Sequence, residues 1–313
     1  MREAPLLHIE NLTLSFYRQK GLFKRQAVKV LHGVDLAVKA GEIAAVVGSS
    51  GSGKSLLAHA VMGLLPEEAE WSGRIHYDGA PLDRKRLQQL RGKEMAFVPQ
   101  SVNYLDPLMR AGKQVRTAVA AAESKQAEEM QRKAFERSGL PAEASRLYPH
   151  QLSGGMARRV LALGAIVSGA RLIIADEPTP GLDEVSLAEI ANQFRELADA
   201  GCAVLFITHD IQLALRIADR VAVLYAGHVV EHAAVGDFAG DGHLLRHPYT
   251  RALWRALPEN GFVPVPGLQP RPDALPSGCL YAPRCGEASD ACMTERPVMR
   301  AVRGGATRCC HAT

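Results

Sequence analysis

At 313 residues, with 47% hydrophobic and 22% charged residues, the chain has apolar material for one large core or two unequal ones, which excludes disorder as the default state. The 37 basic and 33 acidic residues leave a net charge of only +4, too little to make nucleic acid the main partner. No stretch approaches the ~20 apolar residues of a membrane span and the N-terminus lacks the apolar core of an export signal, so a soluble, cytoplasmic chain with mostly reduced cysteines is expected.

Over residues 7–16 apolar side chains alternate (Ile9, Leu12, Leu14, Phe16), and a second such stretch covers 28–38, predicting paired strands and an antiparallel edge. Arg18, Lys20, Lys24, Arg25 and Lys29 form one early basic stretch, suited to lipid headgroups or a partner subunit, for which a solvated loop is the stronger reading. Residues 43–47 are continuously apolar and stop at a glycine-rich turn, after which 55–65 has a helical pattern. A strand follows at 95–98. Residues 110–168 carry much helix signal and little strand signal, including the Ala-, Glu-, Gln- and Lys-rich run 118–137. Strands at 172–175, 203–208 and 221–225, separated by helices near 184–199 and 210–218, predict a mostly parallel sheet flanked by helices. Six prolines from Pro258 to Pro276 make that segment a stiff extended linker to a small tail holding five of the six cysteines.

The run Gly48-Ser49-Ser50-Gly51-Ser52-Gly53-Lys54-Ser55 fits the phosphate-loop pattern, with the required strand before it and helix after it. A Gly/Ser linker ending in Lys-Ser by chance would lack both flanks. Glycines let successive N–H groups and the helix N-terminus point at phosphate oxygens, while Lys54 neutralises the outer phosphates and the Ser55 hydroxyl ligates Mg²⁺. The strand at 172–175 ends on Asp176 and Glu177. Asp176 suits the Mg²⁺ shell; Glu177, beside the metal rather than on it, suits orienting or deprotonating a water. Alone, such a strand end is more often a cap or a solvated turn. The phosphate loop upstream makes the catalytic reading the stronger one.

Between these elements stands Leu152-Ser153-Gly154-Gly155-Met156, followed by Ala157-Arg158-Arg159 and a helix. Ser-Gly-Gly before a helix is by itself a common cap, but in this order the segment resembles the signature of the ATP-binding cassette (ABC) ATPases, a resemblance that covers almost the whole chain. It implies an α/β, RecA-like P-loop NTPase core with an antiparallel β edge. The ABC domain would span 1–235, with a helical subdomain inserted at about 101–168, and a C-terminal extension would span 236–313. The resemblance further implies that Gln100 is the Q-loop residue, joining Ser55 and Asp176 around Mg²⁺, that Asp183 is the D-loop residue, and that His209 senses the γ-phosphate. Phe16 would stack on adenine, with Tyr17 as its rival. Ser153, Gly154 and Gly155 would act on ATP held by a second ABC subunit, so that one chain cannot complete a site.

The tail narrows the resemblance: His247-Pro248-Tyr249-Thr250-Arg251-Ala252-Leu253, Leu275-Pro276-Ser277-Gly278-Cys279 and Ala282-Pro283-Arg284-Cys285 look like the oligopeptide, dipeptide and nickel importer ATPases. That class implies an ATP-hydrolysing subunit at the cytoplasmic face of the bacterial membrane. Its partners would be a second ATPase subunit, two integral membrane permease subunits and an extracytoplasmic substrate-binding protein, with peptide and nickel or a metal chelate both open as cargo. A soluble ABC ATPase of DNA repair or translation is the alternative, opposed by the single cassette, the lack of a long coiled-coil insertion and the importer-like tail. A non-hydrolysing cassette is opposed by Lys54, Asp176, Glu177 and His209. Two segments depart from the family's usual wording: Pro180-Gly181 before the D-loop, and residues 101–107. Cys279, Cys285, Cys292 and Cys309, with five, six and sixteen intervening residues, are compatible with four thiolates around one centre but match neither ferredoxin nor paired Cys-x-x-Cys spacing. The resemblance ranks a [4Fe–4S] cluster first and zinc second, ahead of unligated cysteines. Cys310, adjacent to Cys309, is a substitute fourth ligand, and Cys202 reads as a core strand residue.

Overall fold

The computed structural model describes residues 4–20, 24–119 and 124–313. In chain order, β1 (Leu7–Lys20), β2 (Lys24–Val38) and β3 (Ile43–Val47) lead into α1 (Lys54–Met62), β4 (Glu70–Tyr77) and the short β5 (Ala80–Pro81). Next come α2 (Arg84–Leu90), β6 (Met95–Val98), α3 (Ala111–Ala118), α4 (Ser124–Arg137), α5 (Gly154–Ile166) and β7 (Leu172–Asp176). The remainder is α6 (Glu184–Asp199), β8 (Ala203–Thr208), α7 (Ile211–Ile217), β9 (Arg220–Tyr225), β10 (His228–Ala234), α8 (Pro248–Arg255), α9 (Asp290–Thr294), β11 (Arg300–Val302) and β12 (Gly305–Thr307). The result is an α/β chain with a P-loop NTPase arrangement. Among the described residues no helix is long and apolar enough to cross a membrane.

The chain forms two compact units. The first comprises residues up to 7, 38–43 and 77–208. Its strands β6, β7 and β8 are parallel, with Met95 opposite Leu172 and Leu172 opposite Ala203. β7 and β8 are buried at every position, which is why both read as unbroken apolar runs. A separate helical core gathers Leu105, Val115, Phe135, Leu140, Val160 and Leu163. The helical run expected over 118–137 is split: α3 ends at Ala118, where β-branched Val119 turns extended (φ −73°, ψ 103°), and α4 begins at Ser124. Residues 120–123 lie outside the described set.

The second unit comprises 8–37, 44–76 and 209–313. β2, β1 and β4 are hydrogen-bonded neighbours in that order. The basic run expected to be a solvated loop instead extends both strands, β1 continuing to Lys20 and β2 starting at Lys24. β3 is parallel to β9, and β9 is antiparallel to β10. The C-terminal hairpin adds to that edge: β12 pairs antiparallel with β10, Glu231 opposite Thr307, and β11 with β12. Arg303 (φ 44°) and Gly304 (φ 77°) form its two-residue turn, both left-handed as a tight hairpin connection requires. The unit's core packs Val47, Val221, Val223, Tyr225, Tyr249 and Tyr281. Buried Arg246 ties the hairpin down, bonding the Glu231 and Asp237 carboxylates and the Val302 and Arg303 carbonyls.

Candidate functional site

In the second unit, buried β3 ends at Gly48 and α1 begins at Lys54, placing the glycine-rich loop at a helix N-terminus. Gly53 occupies the cap position at φ 104°, a left-handed conformation that glycine adopts without strain, and a Cβ there would come within 2.8 Å of Leu31. A Cβ at Gly48 would lie 2.2 Å from the Leu224 carbonyl oxygen, so the loop's entry is closed to any larger residue. Lys54 Nζ donates to the Gly48 and Ser49 carbonyls at 2.9 and 3.2 Å, folding the cation over the loop. Ser52 Oγ is buried with no hydrogen-bond partner among the described residues. Ser50 and Gly51 are exposed, and Ser55 is half-buried in the first turn of α1. A buried orphan hydroxyl, a cation and a helix N-terminus in one loop fit a phosphate group.

Phe16 is half-buried on β1, in the alternation that buries Leu12 and Leu14. Its rival Tyr17 is more exposed and its hydroxyl donates to Glu70 Oε1 at 2.6 Å. His209 is exposed in the turn after β8, where the next residue, Asp210, caps α7 by accepting the Leu213 N–H.

In the first unit, β7 delivers Asp176, 1% exposed, and then Glu177. Glu177 sits at φ 47°, a left-handed conformation rare for a residue with a long side chain, and its N–H donates to Ile207 O at 2.8 Å. Its carboxylate meets the Q-loop candidate: Gln100 Nε2 donates to Glu177 Oε2 at 3.4 Å. Arg158 on α5 donates to the carbonyls of both Gln100 and Glu177, at 3.1 and 3.2 Å. One guanidinium thus holds both residues by their backbones. No pattern along the chain separates Arg158 from its neighbour Arg159, and its role emerges only from these contacts.

Ser153 caps α5, its Oγ accepting the Met156 N–H at 3.2 Å, and Ser153 and Gly154 are exposed. A Cβ added at Gly154 would meet nothing within 4 Å, so no neighbour among the described residues requires glycine there. Asp183 caps α6, accepting from the Ser186 N–H (2.9 Å) and hydroxyl (2.8 Å); the backbone bond, then the hydroxyl, holds its carboxyl below the usual range. Preceding Gly181 takes φ 76°, a conformation suited to glycine after Pro180.

The tail cysteines converge. Cys279, Cys285, Cys292, Cys309, Cys310 and His311 line one small cavity of about 10 Å³. The tightest group is Cys292, Cys310 and His311, whose ligand atoms lie within 4.8 Å of one another, with Cys292 Sγ 3.4 Å from Cys310 Sγ and 3.2 Å from His311 Nε2. Burial raises the Cys279 and Cys285 thiols. Burial also pushes Cys292 up, but hydrogen bonds from the Ser289 backbone and hydroxyl, Cys310 and His311 outweigh it and bring the thiol down to about 7. His311 was missed by sequence reasoning; the Cys-Cys-His run closing the tail was its signal. Cys202, expected in a core strand, is buried but lies just before β8, away from this group in sequence, where its thiol donates to the Ala170 carbonyl.

The family described as ABC transporter matches residues 31–180, and the family described as oligopeptide/dipeptide transporter, C-terminal region, matches 231–292. The dipeptide transport ATP-binding protein DppD of Escherichia coli is 36% identical over 98% of this chain and 96% of its own length. The oligopeptide transport ATP-binding protein OppD of Mycobacterium tuberculosis is 37% identical over 94% of this chain and 50% of its own length. A solved dimeric ATP-binding cassette, in a post-hydrolysis state with ADP and phosphate bound, superposes with a TM-score of 0.64 at 27% identity, covering 73% of this chain and 98% of that one.

Proposed function

Because the chain belongs to the ATP-binding subunits of ABC transporters and is an ATPase coupled to peptide import, we propose that it hydrolyses ATP in a site completed by a second ATPase subunit. In this reading Lys54 and the loop N–H groups hold the phosphates, Ser55, Asp176 and Gln100 surround Mg²⁺, and Glu177 orients and deprotonates the attacking water. His209 senses the γ-phosphate, Phe16 stacks on adenine, and Asp183 communicates with the partner. Mg²⁺ supplies charge neutralisation at the phosphates when bound.

The observation that carries the two-subunit reading is the start of α5. The space a side chain would fill at Gly154 is open. Bare backbone at an exposed helix N-terminus suits the close approach of an anion brought by another molecule. The test is a mixing experiment with distinguishable subunits: Ser153→Ala in this chain should impair hydrolysis of the nucleotide whose phosphate loop belongs to the partner. Loss confined to this chain's own nucleotide would contradict it.

The partners in this reading are a second ATPase subunit, two permease subunits and an extracytoplasmic binding protein, and the location is the cytoplasmic face of the membrane. Peptide is the cargo favoured over nickel, since the relatives are peptide-transport proteins by name. The tail carries a metal centre in this proposal. Four thiols around one cavity favour a [4Fe–4S] cluster on Cys279, Cys285, Cys292 and Cys309; the tight Cys292, Cys310 and His311 group favours zinc. Iron, sulfide and zinc analysis after anaerobic purification decides between them, and protein free of all three with the tail folded refutes both.

A further inference from the structure

Two side chains of the C-terminal region reach the phosphate loop within the second unit. Tyr249 is fixed by its surroundings: His247 Nδ1 accepts its N–H at 3.0 Å, Pro248 opens the helix, and its ring packs against Tyr225 and Tyr281 at centroid distances of 4.4 and 5.3 Å. Its hydroxyl accepts the Ser49 N–H at 3.3 Å and donates to Ser49 Oγ at 3.4 Å. Gln269, in the proline-rich segment, approaches the same loop. Its Oε1 accepts from Ser49 Oγ at 2.9 Å and from the Ala226 N–H at 3.4 Å, while Nε2 donates to Gly51 O at 3.2 Å. One carboxamide therefore bridges the loop and the end of β9.

The segment carrying Gln269 is held in place. Arg284 donates to Pro266 O at 2.7 Å, to Val265 O at 3.2 Å and to the Tyr225 hydroxyl at 3.2 Å. Its guanidinium also lies 5.8 Å from the ring centres of Tyr225 and Tyr281. Thus the prolines do not merely space two domains: they present a glutamine to the loop.

A glycine-rich loop is the part of the site with the most conformational freedom to lose when phosphate binds. Side chains that fix it beforehand lower that cost. The loop has little packing of its own at this point, since a Cβ at Gly51 would meet nothing within 4 Å. We propose that Gln269 is a positioning residue which, together with Tyr249, holds Ser49 to Gly51 in the phosphate-binding conformation, so that the C-terminal extension sets nucleotide affinity. The proposal rests on the reading of this loop as the ATP site.

The experiment measures the Kd of the full-length chain for Mg-ATP by titration calorimetry in the wild type, Gln269→Met, Tyr249→Phe and Lys54→Ala. Methionine keeps the length of glutamine without its hydrogen bonds, and phenylalanine keeps the packed ring. Each of the first two variants should bind about fivefold more weakly, with the double variant weaker still, while the melting temperature without nucleotide falls by no more than about 4 °C. In the assembled transporter KM for ATP should rise with kcat unchanged, because the lost interaction serves binding equally in ground and transition states. Wild-type affinity in Gln269→Met and Tyr249→Phe, alongside loss of binding in Lys54→Ala, would overturn the positioning role. Wild-type affinity in Lys54→Ala would instead overturn the ATP-site reading on which it rests.

Discussion

Replacing Arg246 by methionine should destabilise the second unit by about 3 kcal/mol. Its side chain is 2% exposed and faces Glu231, which is fully buried, at 3.3 Å, and Asp237 at 2.8 Å. Removing one partner of a buried ion pair typically costs about 3–5 kcal/mol, because the remaining charge stays in a poorly solvating interior. Here the lower end applies: the Glu231 carboxylate keeps the backbone N–H groups of residues 246 and 247, both at 2.8 Å. The substitution also releases the Val302 and Arg303 carbonyls, so the β11–β12 hairpin should fray first. Urea denaturation should show a midpoint lower by about 1 M, and limited proteolysis should cut the hairpin before the rest. Adding Glu231→Gln removes the stranded charge but turns an amide NH2 toward one of the two backbone N–H groups, so the double variant should lose less than the sum of the two single losses. A single variant within about 0.5 kcal/mol of the wild type, or a double variant with fully additive losses, would refute this reasoning.

Acid should weaken the fold through the stacked imidazoles of His32 and His228, whose ring centres are 4.8 Å apart. Burial first, then nearby positive groups, pushes His32 down to about 4 and His228 to about 3 from an ordinary 6.5. Between those values the unfolded chain binds more protons than the folded one, so stability is full above pH of about 6.5 and falls as pH drops toward 4. His228→Phe should flatten that slope in thermal melts, and an unchanged slope would contradict the assignment. Arg158→Met, which removes the donor shared by Gln100 and Glu177, should lower steady-state turnover about tenfold while nucleotide affinity stays within about twofold; a variant with normal turnover would show that the contact is only structural.

What the sequence revealed follows from how far each signal reaches along the chain. β7, β8 and α6 were legible because a fully buried strand or an amphipathic helix writes its own pattern over consecutive residues. The phosphate loop was legible for the same reason. The three-residue strands β11 and β12 carry no apolar run; they exist because the edge of β10 offers a ladder and Arg246 a tether. Gln269 reads as one polar residue among prolines, and Arg158 as one of two adjacent arginines, since contacts that define them lie far away in sequence. The stop after α3 was missed because helix propensity favours the alanine-rich run, whereas the chain turns at Val119.

The most direct test of the account is Glu177→Gln in the assembled transporter, since glutamine keeps the size and the Gln100 neighbourhood of the glutamate but cannot take a proton from water. ATP should still bind with near wild-type affinity, and turnover should fall by at least about a hundredfold. Hydrolysis near the wild-type rate would remove Glu177 from the catalytic step and contradict the account.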